Sequence, residues 1–430
     1  MNLQKFTCRV KFSPSYKLLC TTSENPPEKK KSFVKQSHGM KMKHFFNRHP
    51  EIDNIKQYIP KKYLESKRKT LPDNIYLMCS KVAKEIAQIV LPEVKDVKNQ
   101  VICETNPGLG FISAELLENG VPLVRMYESC PEFREMLKDF DTKYPGRVEI
   151  FTKDLYLLDR YAWLDKMDHY NRVDMLLKNV PKKNWSDDPC MTIIGPMSKI
   201  NFLRYLMKIL PLQADIISHG RIKLFAIMRP KDYHVLTAMP QEKLITYKWS
   251  SVLFNLFFDY KLINKYPKEV FLPWESKKST GTKRGDQVDS NFMYLVKIEF
   301  KKDIPVPIED LLPLYYFAQT FFHRGKKRIL PTVEKWVPGS GLNILLPKLQ
   351  HSTYFNNIDI MTTFCELDPQ QVLGVFREMK NHKSYEASPF HSMVQTHLTK
   401  IETIETDLND SELNKTLTEE IQVKLDNSNL

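Results

Sequence analysis

The sequence predicts an α/β fold, with a largely parallel, helix-covered sheet followed by a small α-helical C-terminal domain. Three observations carry that expectation. Between residues 100 and 151, short apolar runs alternate with amphipathic segments across short loops, as a parallel sheet with crossover helices requires. Strand-like runs end near Lys302, and apolar positions then recur at helical spacing. The chain has 430 residues, 42% hydrophobic and 27% charged, an ordinary globular composition with enough length for two or three domains.

Each element has its own signal. Asn74–Val90 places Ile75, Met78, Val82, Ile86 and Val90 at helical spacing, with Asp73 or Asn74 as N-cap. Gln100–Cys103 reads as a strand and Phe111–Asn119 as a helix stopped at Gly120. A strand at Leu123–Tyr127, a helix at Pro131–Phe140 and a strand at Val148–Phe151 follow. Further strands are expected at Met191–Ile194, Ile222–Met228, Val270–Leu272 and Met293–Phe300, with Ser276–Asp289 a polar loop between the last two. Helices are expected at Ile308–Phe322 and Pro369–Met379, and no internal repeat is present. The chain thus divides into a leader over 1–23, a basic linker over 24–69 and an α/β domain over 70–302. A helical domain over 303–386 and an acidic, unstructured tail over 387–430 complete it.

The formal charge of +13 averages unlike parts. Residues 1–50 carry +9 and residues 401–430 carry −6, so residues 1–400 carry +19. The first 23 residues hold Lys5, Arg9, Lys11 and Lys17 without an acid, and space Leu3, Phe6 and Val10 at roughly helical intervals. That is the pattern of a mitochondrial presequence. Two further basic clusters, Lys61 to Lys69 (including Lys67, Arg68 and Lys69) and Arg324, Lys326, Lys327 and Arg328 after an aromatic run, point to a nucleic-acid partner. Seven scattered cysteines without a C-x-x-C pair argue against a disulfide framework and a structural zinc, and the histidine spacing suggests no metal site. No apolar run is long enough to span a membrane, and no nucleophile elbow supports Ser/His/Asp chemistry.

The strand Val101–Cys103 runs into Glu104-Thr-Asn-Pro-Gly108-Leu-Gly110 and then a helix. This turn holds two of only thirteen glycines. Glycines there let a backbone approach a ligand at a helix N-terminus. Glu128 follows the next strand, placed to accept ribose hydroxyls, and Asp154 follows the third. A dinucleotide competes as ligand, because G-x-G-x-x-S nearly fits its fingerprint. Pro107 and Glu104 favour S-adenosylmethionine, which has no pyrophosphate to cradle.

These residues resemble the motifs of the rRNA adenine-N6 dimethyltransferase family. Glu104–Ser113 is similar to its E-x-G-P-G-x-G-x-L-T loop, and Glu128 and Lys153-Asp154-Leu155 resemble its next two motifs. Tyr76-Leu77 resembles its Phe-Leu pair, Phe271–Trp274 its F-x-P motif, and Arg324–Arg328 its C-terminal basic stretch. The resemblance spans roughly residues 65–345. It implies a Rossmann-like methyltransferase sheet that binds S-adenosylmethionine through Leu77, Glu104, Gly108, Gly110, Glu128 and Asp154. It implies a nucleic-acid surface at Lys67, Arg68, Lys69, Arg324, Lys326, Lys327 and Arg328.

The departures bear on activity. The family's fourth strand ends in N-[LIV]-P-[FYW], whose Asn and Pro carbonyl hold the adenine amino group while the aromatic ring stacks on the flipped base. Here Met191–Ile194 leads into Gly195-Pro196-Met197, with neither Asn nor aromatic, before an amphipathic helix. Asn179-Val-Pro-Lys182 matches three of the four motif positions but precedes no helix start, so Asn179 is the weaker catalytic candidate. Asn106 also replaces the first loop glycine and puts a Cβ where the methionine would pass. A worn catalytic motif, a presequence and a basic body resemble the mitochondrial transcription factor B branch of the family. That branch implies a monomeric matrix and nucleoid protein that joins mitochondrial RNA polymerase at promoter DNA, with weak or vestigial cofactor binding. The alternative is active dimethylation of adjacent adenines in a small-subunit rRNA hairpin.

Overall fold

The computed structural model describes residues 43, 46–48, 50, 56–64, 72–95, 99–240, 246–274, 289–322, 327–345 and 358–402. A short strand β1 (Tyr76–Leu77) and helix α1 (Ser80–Val94) lead into three strand–helix units. These are β2 (Val101–Thr105) with α2 (Phe111–Glu118), β3 (Val124–Tyr127) with α3 (Pro131–Lys143), and β4 (Val148–Phe151) with α4 (Leu158–Asp168) and α5 (Arg172–Leu176). Then come β5 (Met191–Pro196), α6 (Asn201–Ile209), β6 (Ile222–Met228), α7 (Pro230–Leu236), α8 (Trp249–Phe257), β7 (Phe258–Pro267), β8 (Phe271–Leu272) and β9 (Phe292–Phe300). The C-terminal helices are α9 (Ile308–Phe322), α10 (Ile329–Trp336), α11 (Ser340–Leu345), α12 (Pro369–Lys380) and α13 (Pro389–Glu402).

Seven strands form one sheet in the order β4-β3-β2-β5-β6-β9-β7, parallel from β4 through β6 and antiparallel at β9 and β7. This is the expected α/β, Rossmann-like sheet. The chain runs outward from β2 to β4 and then crosses back to β5. The strand order therefore reverses at the carboxyl ends of β2 and β5, where open α/β sheets hold ligands.

Successive strand residues face opposite layers. Ile102, Met126, Ile194 and Phe225 join a cluster with α1, α2 and α3, whereas Cys103, Tyr127, Ile193 and Leu224 face the other side. That second cluster continues without a break into α9, α10 and α12, through Leu314, Phe317, Phe321, Val333, Val372 and Phe376. The C-terminal helices thus share a core with the sheet. Local chemistry sets several ends. Gly120, at φ 95°, terminates α2. Asp368 accepts from the amides of Gln370 and Gln371, with Pro369 in the first turn of α12.

Five expectations need correction. The helix expected over Asn74–Val90 starts at Ser80, because Tyr76–Leu77 pairs antiparallel with Phe271–Leu272. The strand at β8 consequently belongs to this two-stranded ribbon and not to the main sheet. The strand β7 was not anticipated, although Phe258, Tyr260 and Leu262 alternate with Asp259 and Lys261. A register shift at Leu262/Asn264 interrupts that period, and lysines line this edge strand. The tail expected to be unstructured from Ala387 begins as α13, which buries Phe390 and Val394. Part of the expected linker is packed as well: Phe46, Ile59 and Tyr63 are buried, and Tyr63 meets Tyr76 edge-on at 5.3 Å. Residues 1–23, the loop 276–288 and the tail after 402 lie outside the described residues.

Candidate functional site

The site assembles at the carboxyl edge of β2, β3 and β4. Glu104, at the end of β2, is buried and accepts hydrogen bonds from the backbone amide of Ser113 at 2.9 Å and from its hydroxyl. It therefore ties the strand to the first turn of α2. Burial pushes its carboxyl up to about 8, against the pull of the Ser113 hydrogen bonds.

The loop that follows has three left-handed residues, Asn106 (φ 51°), Gly108 (φ 57°) and Gly110 (φ 71°). The two glycines admit protein rather than leaving open space. A Cβ on Gly108 would lie 2.9 Å from the Tyr76 ring, and one on Gly110 would lie 2.6 Å from Phe140. Close approach at these positions is already used by the packing of the domain itself.

Glu128, at the end of β3, is 0% exposed. It accepts from the Gly108 amide at 3.0 Å, the Cys130 amide at 2.7 Å and the Tyr76 hydroxyl at 3.1 Å. Burial pushes its carboxyl up to about 7, opposed by these hydrogen bonds and assisted by the charge of Asp154. Asp154, at the end of β4, is buried too and caps the following turn through the Tyr156 amide at 2.9 Å. Burial pushes it up to about 6, while hydrogen bonds from Tyr156 and the Asn106 side chain act in the opposite direction. Leu77 is buried in the ribbon with Phe271.

The other half of the edge is the end of β5. Gly195 has φ 140°, and a Cβ there would lie 2.2 Å from the Thr105 carbonyl oxygen. The Pro196 carbonyl accepts from the Asn106 side-chain amide at 3.5 Å, the long limit for such a bond. Met197 is 0% exposed, with its amide bonded to the Ile227 carbonyl at 2.8 Å. Ile194 is buried in the core. This strand end presents neither a free carboxamide nor an accessible ring.

The structure thus brings Glu104, Gly108, Glu128 and Asp154 into one cluster, with Leu77 and Gly110 beside it. Asn179 stands elsewhere. It is an exposed left-handed residue after α5, and the carbonyl of its neighbour Val180 meets His219 at 3.0 Å before the amino end of β6. Lys327 donates to the Thr320 carbonyl at 3.4 Å, and Arg328 is exposed and bridges to Thr363. Lys67, Arg68, Lys69, Arg324 and Lys326 lie outside the described residues. Sequence reasoning named Tyr76 for its ring and missed its hydroxyl. It also missed Asn74, whose amide donates to the Asn106 carbonyl oxygen at 3.1 Å. Neither residue carries a local signal, because both act through contacts distant in sequence.

The sequence model of the family described as ribosomal RNA adenine dimethylase matches residues 65–364. The chain belongs to the ribosomal RNA adenine dimethylase family. It is 29% identical over 379 residues to the mitochondrial dimethyladenosine transferase 2 of Drosophila melanogaster, a match that covers 80% of this chain and 84% of that protein. The Mus musculus protein of the same name is 26% identical over 58% of this chain and 63% of its own length. Among solved structures, the 23S rRNA methyltransferase ErmE is similar at a TM-score of 0.44 and 12% identity, covering 71% of this chain and all of that one. A dimethyladenosine transferase from Plasmodium falciparum scores 0.42 at 11% identity, over 69% of this chain and 95% of that one.

A dimethylase-family scaffold would hold the ribose of S-adenosylmethionine on an acid at the second strand end. In this chain Glu128 is sealed from solvent, and both of its oxygens already accept hydrogen bonds from the protein. The Asn106 side chain, directly after β2, is buried and bonded to Asn74 and to the Pro196 carbonyl. The residues present, as arranged, do not fit this cofactor.

Proposed function

We propose that the chain is a mitochondrial transcription initiation factor, working with mitochondrial RNA polymerase to bind and melt promoter DNA on an rRNA adenine dimethylase scaffold. One observation carries the reading: the end of β5, where the family resemblance calls for an Asn and a stacking aromatic, holds the buried Ile194 and Met197 around a pinned Gly195. Loss of base-modifying residues leaves a scaffold whose inherited task is to bind nucleic acid with unpaired bases, which an open promoter supplies. The charge of +19 on residues 1–400 supports a polyanionic partner. Relatives named mitochondrial support the compartment, with the matrix nucleoid as the place of action.

Run-off transcription from a mitochondrial promoter with purified polymerase tests this reading. Product should depend on this protein, most strongly on closed duplex template and less on a template with a pre-melted start site. Equal product without the protein on duplex template overturns it. Membership of the rRNA adenine dimethylase family favours a second reading, dimethylation of adjacent adenines in a small-subunit rRNA hairpin. Incorporation of labelled methyl from S-adenosylmethionine into that hairpin would establish it instead.

A further inference from the structure

The carboxyl ends of β2 and β5 flank the crevice at which the strand order reverses, the place where an open α/β sheet takes its ligand. One side chain reaches across that crevice. Asn106 follows β2 directly, and its Nδ2 reaches the Pro196 carbonyl at the end of β5 at 3.5 Å. The same side chain lowers the carboxyl of Asp154 beyond β4, against the larger effect of burial. Its Oδ1 accepts from Asn74 Nδ2 at 3.1 Å, and Asn74 reaches on to the Ser129 hydroxyl beyond β3 at 3.4 Å. Directly and through Asn74, this carboxamide links the segments before β1, after β2, after β3 and at the end of β5.

Its burial and its full set of partners set this residue apart from an ordinary loop asparagine. Its side chain is buried, with 2% of the residue exposed, so its hydrogen bonds are made to protein rather than to water. Its φ of 51° lies in the left-handed region, which asparagine and glycine both adopt, so glycine can replace it without new backbone strain. Its oxygen and its amide group both have partners, as a buried carboxamide requires. A buried carboxamide with both its oxygen and its amide partnered at the switch point of the sheet is a structural element of that crevice.

We infer that Asn106 is an internal stopper. Its carboxamide occupies the switch-point crevice, ties the ends of β2 and β5 together, and with the Tyr76 hydroxyl on Glu128 closes the site to an adenosyl nucleoside. The protein works without this cofactor, and its retained acids hold the protein's own groups. Any ligand entering the crevice must displace a buried amide that is already hydrogen-bonded and break its bonds to Asn74 and to the Pro196 carbonyl. That displacement weakens binding by about tenfold or more. The inference stands apart from the transcription reading, because no adenosyl cofactor takes part in run-off synthesis.

Titration calorimetry with S-adenosylhomocysteine tests it on the full-length protein, Asn106→Gly and Asn74→Ala. Glycine adopts the same backbone conformation while removing the stopper, so the variant should fold, and a thermal melt confirms that it does. The wild type should show no saturable heat up to about 1 mM ligand. Asn106→Gly should gain at least about tenfold in affinity, and Asn74→Ala should gain less, since it only loosens the carboxamide. Micromolar binding by the wild type overturns the inference whatever the variants do. So does a folded Asn106→Gly protein that binds no better than the wild type.

Discussion

The two halves of the sheet's carboxyl edge have been kept for different reasons. At β2, β3 and β4, the acids Glu104, Glu128 and Asp154 survive, each buried and each hydrogen-bonded to neighbouring protein groups. At β5 neither an Asn nor an aromatic stands where the family resemblance calls for them, and Gly195, Pro196 and Met197 pack closely against β2 and β6. In the first half the acids hold the protein's own groups, while the second is held by close packing of main chain. Retained residue types therefore say less about activity than the partners those residues hold.

The sharpest way to break that comparison is at β5. Gly195→Ala would set a Cβ 2.2 Å from the Thr105 carbonyl oxygen and 2.8 Å from its hydroxyl, on a backbone at φ 140°. Chemical denaturation should show a loss above about 3 kcal/mol, since main chain must move to relieve the clash. Gly146→Ala is the control: it has a similar left-handed need at φ 70°, but no atom within 4 Å of the added carbon. It should cost only about 1 kcal/mol. Equal losses in the two variants would mean that β5 is not held by close packing.

A smaller effect probes the acid half. Three carboxyls have folded-state values raised by burial, Glu104 to about 8, Glu128 to about 7 and Asp154 to about 6. A raised acid binds more protons folded than unfolded. Its stabilising contribution is complete below the unfolded value and is lost as pH rises through the folded one. For Glu128 that window runs from 4.5 to about 7. Stability should fall across it by on the order of 2–3 kcal/mol from this group alone. Glu128→Gln removes the titration while opposing its amide to the Gly108 N–H, so it should be less stable than wild type at the acid end. The gap should narrow steadily toward neutral pH in thermal or urea unfolding. Parallel curves would show that Glu128 is not the buried proton acceptor described above.

Much of this was legible in sequence, for reasons that differ by element. The central parallel strands announced themselves as short, almost wholly buried, mostly apolar runs, and the loop after β2 because glycine is scarce elsewhere. The β1–β8 ribbon was illegible because its two strands are two residues each and nearly two hundred positions apart. Strand β7 was obscured by the irregularity at Leu262/Asn264 that breaks its period. In the site, sequence spacing located Glu104, Glu128 and Asp154 and flagged Asn106 as an extra Cβ. It could not reveal that the Asn106 amide reaches Pro196 ninety positions away, or that the Tyr76 hydroxyl sits on Glu128. Identity is local in sequence, but the satisfaction of a polar group is not.

The smallest effect belongs to the residue that sequence alone made an alternative catalyst. Asn179 is exposed at φ 59° in the turn that ends α5, leading toward the amino edge of the sheet, away from the acids and from Pro196. Its role is that of a left-handed turn residue, which asparagine and glycine both fill. Asn179→Gly should therefore change stability by less than about 0.5 kcal/mol, while Asn179→Ala should cost about 1 kcal/mol from backbone strain. Both should leave promoter-dependent run-off at the wild-type level once compared at a temperature where each is folded. Loss of run-off in Asn179→Gly, with stability unchanged, would move function to the amino edge and undo the contrast between the two halves of the carboxyl edge.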